Sequence, residues 1–148
     1  MSKTLVITGA SRGIGYELAK AAAEEGHIVY AISRNLRTLD QTVLMKPVEI
    51  DITNHEALSK WTKQLHNKQV KVDALINNAG ALVNKSFRDT EPEDFEAIYR
   101  VNVFGLANMT RLLLPSIQPK GHVVNICLLY TSDAADDMQC VDLGGRRI

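Results

Sequence analysis

The residues best suited to chemistry form a glycine-rich turn near the start of the chain, residues 8–15 (TGASRGIG). The turn follows a short apolar run, Leu5-Val6-Ile7, and leads into a segment rich in helix-forming residues. A strand, a glycine turn and a helix in this order aim the free N–H groups of the helix N-terminus at a phosphate. The glycines would allow a tight turn, close approach of a pyrophosphate and close helix–strand packing. The pattern predicts a dinucleotide-phosphate site, although a purely structural turn explains this stretch alone equally well.

Composition and spacing exclude several other classes of function. No Gly-Lys-Ser/Thr sequence ends the loop, so it is not a P-loop. The 148 residues suit one domain, and 17 basic against 17 acidic residues leave no electrostatic footprint for nucleic acid or an anionic membrane. We find no signal-peptide layout, membrane span or metal-ligand spacing among the four histidines and two cysteines. Because both cysteines, Cys127 and Cys140, fall in the last 22 residues, we expect a cytoplasmic protein without disulfides.

Strand and helix patterns alternate along the chain. Apolar runs predict strands at residues 3–8, 27–33, 47–51, 72–77 and 122–126. Helices are predicted over residues 13–25, from a capping box at 53–56 to about 66, and from a capping box at 90–93 to about 114. Gly26 should cap the first helix, and Pro92 suits the first turn of the third. Repeated strand–helix–strand units predict an α/β fold with a parallel, doubly wound sheet.

The third predicted helix carries one polar residue on its apolar stripe. The stripe, with residues three or four apart, consists of Phe95, Ile98, Tyr99, Asn102, Leu106 and Met109. A buried asparagine in the middle of a helix needs hydrogen-bonding partners. Asn102 is therefore either a satisfied core residue or part of a functional site.

Three motifs, in this order and spacing, resemble the short-chain dehydrogenase/reductase (SDR) family. They are residues 8–15, residues 77–80 (NNAG) after the fourth predicted strand, and residues 101–105 (VNVFG) in the long helix. The resemblance covers residues 1–126, roughly the first half of a family domain. It implies a Rossmann-like fold, truncated after the fifth strand, and an oxidoreductase in which a nicotinamide cofactor gives or takes the hydride.

The resemblance also implies how the cofactor is held. An NAD-preferring site usually has Asp or Glu after the second strand, but this chain has Ser33-Arg34 there. Arg12 precedes the second glycine, and two guanidiniums suit the 2′-phosphate of NADP(H); the alternative is that both are solvated surface residues. Asp51 matches the family's contact to the adenine amino group, and a turn residue near the helix cap is a compatible alternative. The residues expected to bind the cofactor are Gly9, Ser11, Arg12, Gly13, Ile14, Gly15, Ser33, Arg34, Asp51, Ile52, Asn78, Ala79 and Gly80.

Two asparagine motifs have specific roles in the family. By resemblance, the backbone of residues 77–80 lines the cofactor, while an asparagine side chain ties the sheet to neighbouring strands; a generic turn is the alternative. Asn102 would distort its helix and hold a water that feeds a proton relay. It is the only member of the family's catalytic set that we expect to find in this chain.

The remaining catalytic residues are missing from the sequence. In the family, the fifth strand runs into a catalytic Ser, followed by Tyr-x-x-x-Lys, in which the Tyr is the general acid/base. Alignment places Leu128 at the Ser position, and Tyr130 is followed four residues later by Ala134. Tyr16 and Lys20 form the only Tyr-x-x-x-Lys in the chain, but on the glycine-loop helix, where the motif does not belong. We therefore expect no turnover by this chain.

The last 22 residues, 127–148, resemble a translated transposase-type adapter from short-read DNA sequencing. The transposon end gives residues 127–132 (CLLYTS), the primer site gives 133–136 (DAAD), and the flow-cell primer complement gives 141–148 (VDLGGRRI). Residues 137–140 leave room for one index between them. We expect an artefactual tail, disordered beyond about residue 131.

The expected parent protein is a cytoplasmic, NADP(H)-dependent SDR that interconverts a carbonyl and a secondary alcohol of a small molecule. By resemblance it is a homodimer or homotetramer that needs no metal, nucleic acid or membrane. The alternative is a non-catalytic dinucleotide-binding sensor or regulator on the same fold. In the chain as written, the fifth strand would be an open edge with uncovered apolar faces, so we expect aggregation.

Overall fold

The computed structural model describes residues 1–36, 39 and 41–126. These residues form five strands and four α-helices, in the order β1 (Thr4–Thr8), α1 (Gly13–Glu24), β2 (Ile28–Ser33), β3 (Met45–Glu49), α2 (His55–Asn67), β4 (Val72–Asn77), α3 (Pro92–Tyr99), α4 (Leu106–Leu113) and β5 (Ile117–Asn125). A π-helical segment, Arg100–Gly105, joins α3 to α4. Short 3₁₀ turns, Phe87–Asp89 and Leu114–Ser116, precede α3 and follow α4.

The strands form one parallel sheet in the order β3-β2-β1-β4-β5. The predicted α/β, doubly wound parallel fold is confirmed. The chain runs outward from β1 through β2 to β3, then returns to the other side of β1 for β4 and β5. In such sheets ligands bind in the crevice where the strand order reverses, outside the carboxyl ends of the strands. Here that point lies between β1 and β4.

Successive residues of the central strands bury against opposite faces of the sheet. Val6 and Ile32 belong to the core beneath α2 and α4, whereas Ile7 and Ala31 belong to the core beneath α1. Helices therefore cover both faces, which explains why these strands are apolar at consecutive positions.

The third and fifth strands begin earlier than the sequence predicted. Pro47 suggested the start of a strand, but β3 begins at Met45, which is buried and pairs with Val29. A proline is tolerated there because β3 is at the edge of the described sheet. Because Pro119 and Gly121 are unfavourable in strands, the sequence did not predict the first half of β5. This half nevertheless pairs with β4, across an irregularity in register.

The N-cap of each predicted capping box is displaced by one residue, and of the two helices only α3 has a capping box, between Glu91 and Asp94. Asn54, not Thr53, caps α2 by accepting a hydrogen bond from the Ala57 N–H at 3.0 Å. The N–H and the hydroxyl of Thr53 instead donate to Asp51 in the preceding turn. At α3 the cap is Glu91 rather than Thr90.

The start of α3 otherwise follows the prediction, with Pro92 in its first turn. Asp94 occupies the third helical position, and its carboxylate accepts the Glu91 N–H at 3.0 Å. Thr90 turns away from the helix and donates its hydroxyl to the Ser86 carbonyl at 2.8 Å. The predicted cap at Gly26 is confirmed: its φ is +87°, and its N–H donates to the Ala23 carbonyl.

The long third helix is not one continuous α-helix with one buried stripe. The π-helical segment interrupts it at residues 100–105, and α4 ends at Leu113. Met109 is fully buried, but Phe95 and Tyr99 are 43% and 55% exposed. A π-helical turn adds residues to the helix and rotates the next helical turns about the axis, so one periodic stripe cannot continue across it.

Candidate dinucleotide-binding site

An open cleft of about 620 Å³ lies at the carboxyl ends of the strands, at the point where the strand order reverses. Its walls come from the turn after β1, the ends of β2 and β3, the segment after β4, and the π-helical segment. The predicted site residues that line it are Gly9, Ser11, Arg12, Gly13, Ile14, Ser33, Arg34, Asp51, Ile52, Asn78, Ala79, Gly80 and Asn102. Predicted residues from five separate parts of the sequence are thus brought to one place.

Each glycine of the loop is favoured for a different structural reason. Gly9 and Gly13 have φ values of +68° and +58°, a region that other residues rarely adopt. At Gly9 a side chain would also meet the backbone, because a Cβ there would lie 2.8 Å from Cα of Ala79. Gly15 does not line the cleft: it is buried behind the loop, where a Cβ would lie 2.5 Å from the Gly9 carbonyl oxygen and closer still to the Asn78 side chain. Gly15 therefore packs the loop rather than facing a ligand.

The N-terminus of α1 is open towards the cleft. Arg12 is its N-cap residue and makes no side-chain capping bond, and the first turn contains no acidic residue. The first N–H groups of a helix have no intrahelical partners and carry the positive end of the helix dipole. This end of α1 can therefore receive an anionic group.

Thr8 and Asn78 join the turn after β1 to the turn after β4. The Thr8 hydroxyl accepts the backbone N–H groups of Asn78 and Ala79, both at 3.0 Å. In return, Nδ2 of Asn78 donates to the carbonyls of Thr8 and Gly9 at 3.1 and 3.2 Å. These bonds fix the two loops that form the floor of the cleft.

Asn77 ties β4 to its neighbours beneath this floor. Its Nδ2 donates to Oγ1 of Thr110 on α4 at 3.0 Å and to Oδ1 of Asn125 on β5 at 2.9 Å. Oδ1 of Asn77 is buried and has no hydrogen-bonding partner among the described residues. The motif's side chains thus link β4 to β1, to α4 and to β5.

Asn102 holds the segment after the NNAG motif. Its Oδ1 accepts the Ala81 N–H at 2.8 Å, and its Nδ2 donates to the Ala81 carbonyl at 2.9 Å. The residue is half-buried and lies within the π-helical segment, so the helix is distorted where the family resemblance implied. Its side chain is satisfied by Ala81, and the relay water stays a prediction.

The corner after β2 and β3 is basic and exposed. Arg12 and Arg34 are exposed, and neither forms an ion pair with a carboxylate in the described part of the chain. Ser33 is buried, with Oγ accepting the Asn35 N–H at 3.3 Å. Asp51 lines the cleft, as expected of a residue that contacts the cofactor. Its Oδ1 also accepts two hydrogen bonds from Thr53, as expected of a turn residue near the helix cap.

Sequence reasoning missed several residues that line the cleft. They are Ile32, Ile50, Ala81, Leu82, Val101, Leu106, Asn125 and Ile126. Ala81 and Leu82 directly follow the NNAG motif, and Asn125 and Ile126 lie at the end of the neighbouring strand. Their closeness to the motif is the sequence feature that could have predicted them as cleft residues. Tyr16 and Lys20 do not line the cleft, which agrees with rejecting them as the catalytic pair.

Three predictions lie outside the described residues. These are the replacement of the catalytic Ser by Leu128, the loss of Tyr-x-x-x-Lys after Tyr130, and the disorder and adapter origin of the tail. Among the described residues, no group of three or more His, Cys, Asp or Glu could hold a metal ion. In the same part of the chain, no helix is both long and apolar enough to cross a membrane.

A family model described as short chain dehydrogenase matches residues 3–138. The chain is 36% identical over 137 residues to the ketoacyl reductase HetN of Nostoc sp., an alignment that covers 86% of this chain and 48% of that protein. It is 37% identical over 131 residues to the NADPH-dependent 1-acyldihydroxyacetone phosphate reductase of Saccharomyces cerevisiae, covering 82% and 44%. The chain thus spans about half the length of the curated relatives it matches.

Solved structures show the same likeness. A short-chain dehydrogenase from Burkholderia cenocepacia in complex with NADP is 34% identical, with a TM-score of 0.74 and coverage of 84% of this chain and 52% of that one. A short-chain dehydrogenase from Leptospira borgpetersenii with bound NAD⁺ is 25% identical, with a TM-score of 0.81 and coverage of 91% and 56%. With the family match over most of its length and these relatives, the chain belongs to the short-chain dehydrogenase/reductase family of oxidoreductases.

Proposed function

We propose that this chain carries the NADP(H)-binding part of an SDR oxidoreductase that interconverts a carbonyl and a secondary alcohol. The observation that carries the proposal is the cleft itself. A helix N-terminus without a side-chain cap from Arg12, a glycine turn that has no room for a side chain at Gly9, and two exposed guanidiniums meet at one edge of the sheet. A dinucleotide has the complementary features: a pyrophosphate, two riboses and, in NADP(H), a further phosphate.

The cleft fits a dinucleotide at each of its parts. The glycine turn and the start of α1 would hold the pyrophosphate, since the first N–H groups of α1 lack intrahelical partners and Arg12 makes no side-chain capping bond to them. The backbone after β4, from Asn78 to Gly80, would border the rest of the cofactor. The bound nicotinamide would supply or accept the hydride, which no protein side chain can do. The protein's own contribution is to bind and orient it.

The basic corner favours NADP(H) over NAD(H). Arg12 and Arg34 leave two guanidiniums available for a 2′-phosphate, to which each can form paired charge-assisted hydrogen bonds. Arg34 and Asn35 directly follow β2, where an NAD-preferring site usually has an acidic residue that accepts from the ribose hydroxyls. Among the relatives, the yeast reductase is NADPH-dependent and the Burkholderia structure holds NADP, whereas the Leptospira structure holds NAD⁺. The comparisons support a nicotinamide dinucleotide, and the two arginines support the 2′-phosphate.

Titration of the 148-residue chain with NADPH and NADH tests the cofactor. We expect NADPH to bind more tightly. Replacing Arg34 by Met should weaken NADPH by about 2 kcal/mol, roughly 30-fold, because it removes a charge-assisted contact, and should leave NADH unchanged. Arg111→Met is the matched control, since Arg111 lies on α4 and does not line the cleft. Tighter binding of NADH than of NADPH would sink the cofactor proposal.

Binding without turnover is the second candidate function. The sequence after residue 126 contains no Tyr-x-x-x-Lys, so this chain has no general acid/base of the family type. We propose that the chain as written binds the cofactor without reducing a carbonyl. Any carbonyl reduction by this exact chain overturns that. If the intact gene carries Ser and Tyr-x-x-x-Lys downstream, the sensor alternative fails for the parent protein.

The origin of residues 127–148 also stays a proposal. The adapter blocks and their spacing support it, while the family-model match runs on to residue 138, past the junction. Adapter bases from the Ile126 codon onward in the raw reads would establish it; a native reading frame through the junction would refute it. For the parent protein we propose a cytoplasmic homodimer or homotetramer acting on a small molecule, to be tested by fractionation and by light scattering of the native gene product.

A further inference from the structure

The segment after Gly80 forms one wall of the cleft. Ala81 and Leu82 line the cleft directly, and Leu82 is 66% exposed. The segment has no regular secondary structure until the 3₁₀ turn that begins at Phe87. Its position must therefore depend on side-chain contacts at particular points.

Two such contacts hold it, one at each end. At the first, Asn102 binds both backbone groups of Ala81. At the second, Nζ of Lys85 donates to both carboxylate oxygens of Asp94, at 2.9 and 2.6 Å. Asp94 is only 16% exposed and also accepts the Glu91 N–H, so the carboxylate is fixed to the start of α3.

Between the two contacts, no further hydrogen bond to a described residue holds the segment, and Val83 is only partly buried. Residues 82–84 make no hydrogen bond to any other described residue. Beyond Lys85 the chain is stiff again, because the Ser86 hydroxyl donates to Asp89 and the Thr90 hydroxyl donates to the Ser86 carbonyl. A three-residue span fixed at both ends has far fewer conformations than one fixed at a single end.

We propose that Lys85 and Asp94 are positioning residues, whose ion pair holds residues 81–85 as a wall of the cleft and thereby sets its affinity for the dinucleotide. The proposal rests on the proposed function of the cleft. Neither residue lines the cleft, so both act through Ala81 and Leu82.

The pair is suited to local positioning rather than to stabilising the whole fold. Lys85 is 45% exposed, and ion pairs at the surface contribute little to global stability. The Lys85 ammonium, followed by the Glu91 N–H, holds the pKa of the Asp94 carboxyl below its ordinary value of 3.8. Loss of the pair should free one end of the wall while the sheet remains intact.

Exchange of the Ala81 amide hydrogen provides a direct test. This N–H is bonded to Asn102, not to Lys85, so it reports whether the distant contact holds the segment. In the 148-residue chain, Lys85→Met should speed Ala81 exchange about fivefold and weaken NADPH binding about fivefold, with any fall in the urea midpoint too small to account for the faster exchange. Lys85→Arg should preserve both values, since it keeps the charge. Lys20→Met is the control for loss of a lysine charge, because Lys20 forms a longer and more exposed ion pair with Glu24 on α1, and neither residue lines the cleft.

The outcomes separate this inference from the proposed function. Unchanged Ala81 exchange in Lys85→Met overturns the inference, and so does faster exchange with unchanged NADPH affinity, since the segment would then not act as a wall. A fall in the urea midpoint that accounts for the faster exchange also overturns it. If the unaltered chain binds neither dinucleotide, the proposed function fails, and the exchange measurement alone decides whether Lys85 positions the segment.

Discussion

At the scale of single residues, the floor of the cleft is packed so closely that two of its glycines have no space for a side chain. Gly9 lies against Cα of Ala79, and Gly15 lies against the Gly9 carbonyl and the Asn78 amide. The same Asn78 amide donates to that carbonyl, so one side chain both fills the space and satisfies the turn. A methyl group at either glycine would force the two loops apart.

We predict that Gly9→Ala lowers the free energy of unfolding by about 3 kcal/mol, because it combines left-handed strain with a backbone collision. Gly26→Ala is the control: Gly26 also has a positive φ, but a Cβ there meets nothing within 4 Å. That variant should lose about 1 kcal/mol from strain alone. Urea denaturation measures both, and equal losses would show that the loop after β4 yields to the added methyl.

At the scale of elements, α3 is short and begins with polar contacts. Pro92 occupies its first turn, the Asp94 carboxylate accepts the Glu91 N–H, and Lys85 neutralises the same carboxylate. The π-helical segment then ends α3 after only eight residues. The stability of a helix this short depends on the contacts at its ends. The hydrogen bonds of Asp94 should therefore stabilise α3 although the residue lies near the surface.

We predict that the contribution of Asp94 to stability depends on pH. Its folded pKa is lowered, so its stabilising effect is complete above its ordinary value of 3.8 and is lost as pH falls through the folded pKa. The stability difference between the unaltered chain and Asp94→Asn should therefore be constant near neutral pH and shrink below 3.8. Urea denaturation across pH measures it, with Glu93→Gln, an exposed acid in the same turn, as control. A difference that does not shrink in acid would contradict the prediction.

At the scale of the whole molecule, the two sides of the sheet differ in how well they are covered. Around β1 both faces are buried beneath helices. At β5, Val123 and Val124 point to opposite faces and are 40% and 45% exposed among the described residues. Apolar side chains at a strand edge are sites where another chain can pair.

We predict that the 148-residue chain self-associates with rising concentration. Replacing Val123 and Val124 together by Thr should reduce the association, because it removes apolar surface while keeping a residue that favours strands. Val43→Thr is the control for the same change at a valine that is 88% exposed outside the strands. Light scattering measures the mass; a monodisperse monomer with one sharp unfolding transition would contradict the prediction.

The sequence by itself determined the fold class and most of the candidate site. Continuous apolar strands alternating with helices allow few arrangements other than a parallel sheet covered on both faces. The glycine turn, the NNAG motif and Asn102 are each local patterns, and the cleft brings together every predicted binding residue except Gly15. Their identification depended on short-range spacing, which a sequence shows directly.

Tertiary contacts decided the rest. Asn54 rather than Thr53 caps α2, and the Thr53 hydroxyl donates to Asp51. The first half of β5 formed despite Pro119 and Gly121 because it pairs with β4. The break in the long helix, and the capture of Ala81 by Asn102, required a segment 21 residues away in sequence to lie alongside. These outcomes depend on which groups lie close enough in space to form hydrogen bonds with one another. The spacing of residues along the chain does not show which distant groups meet.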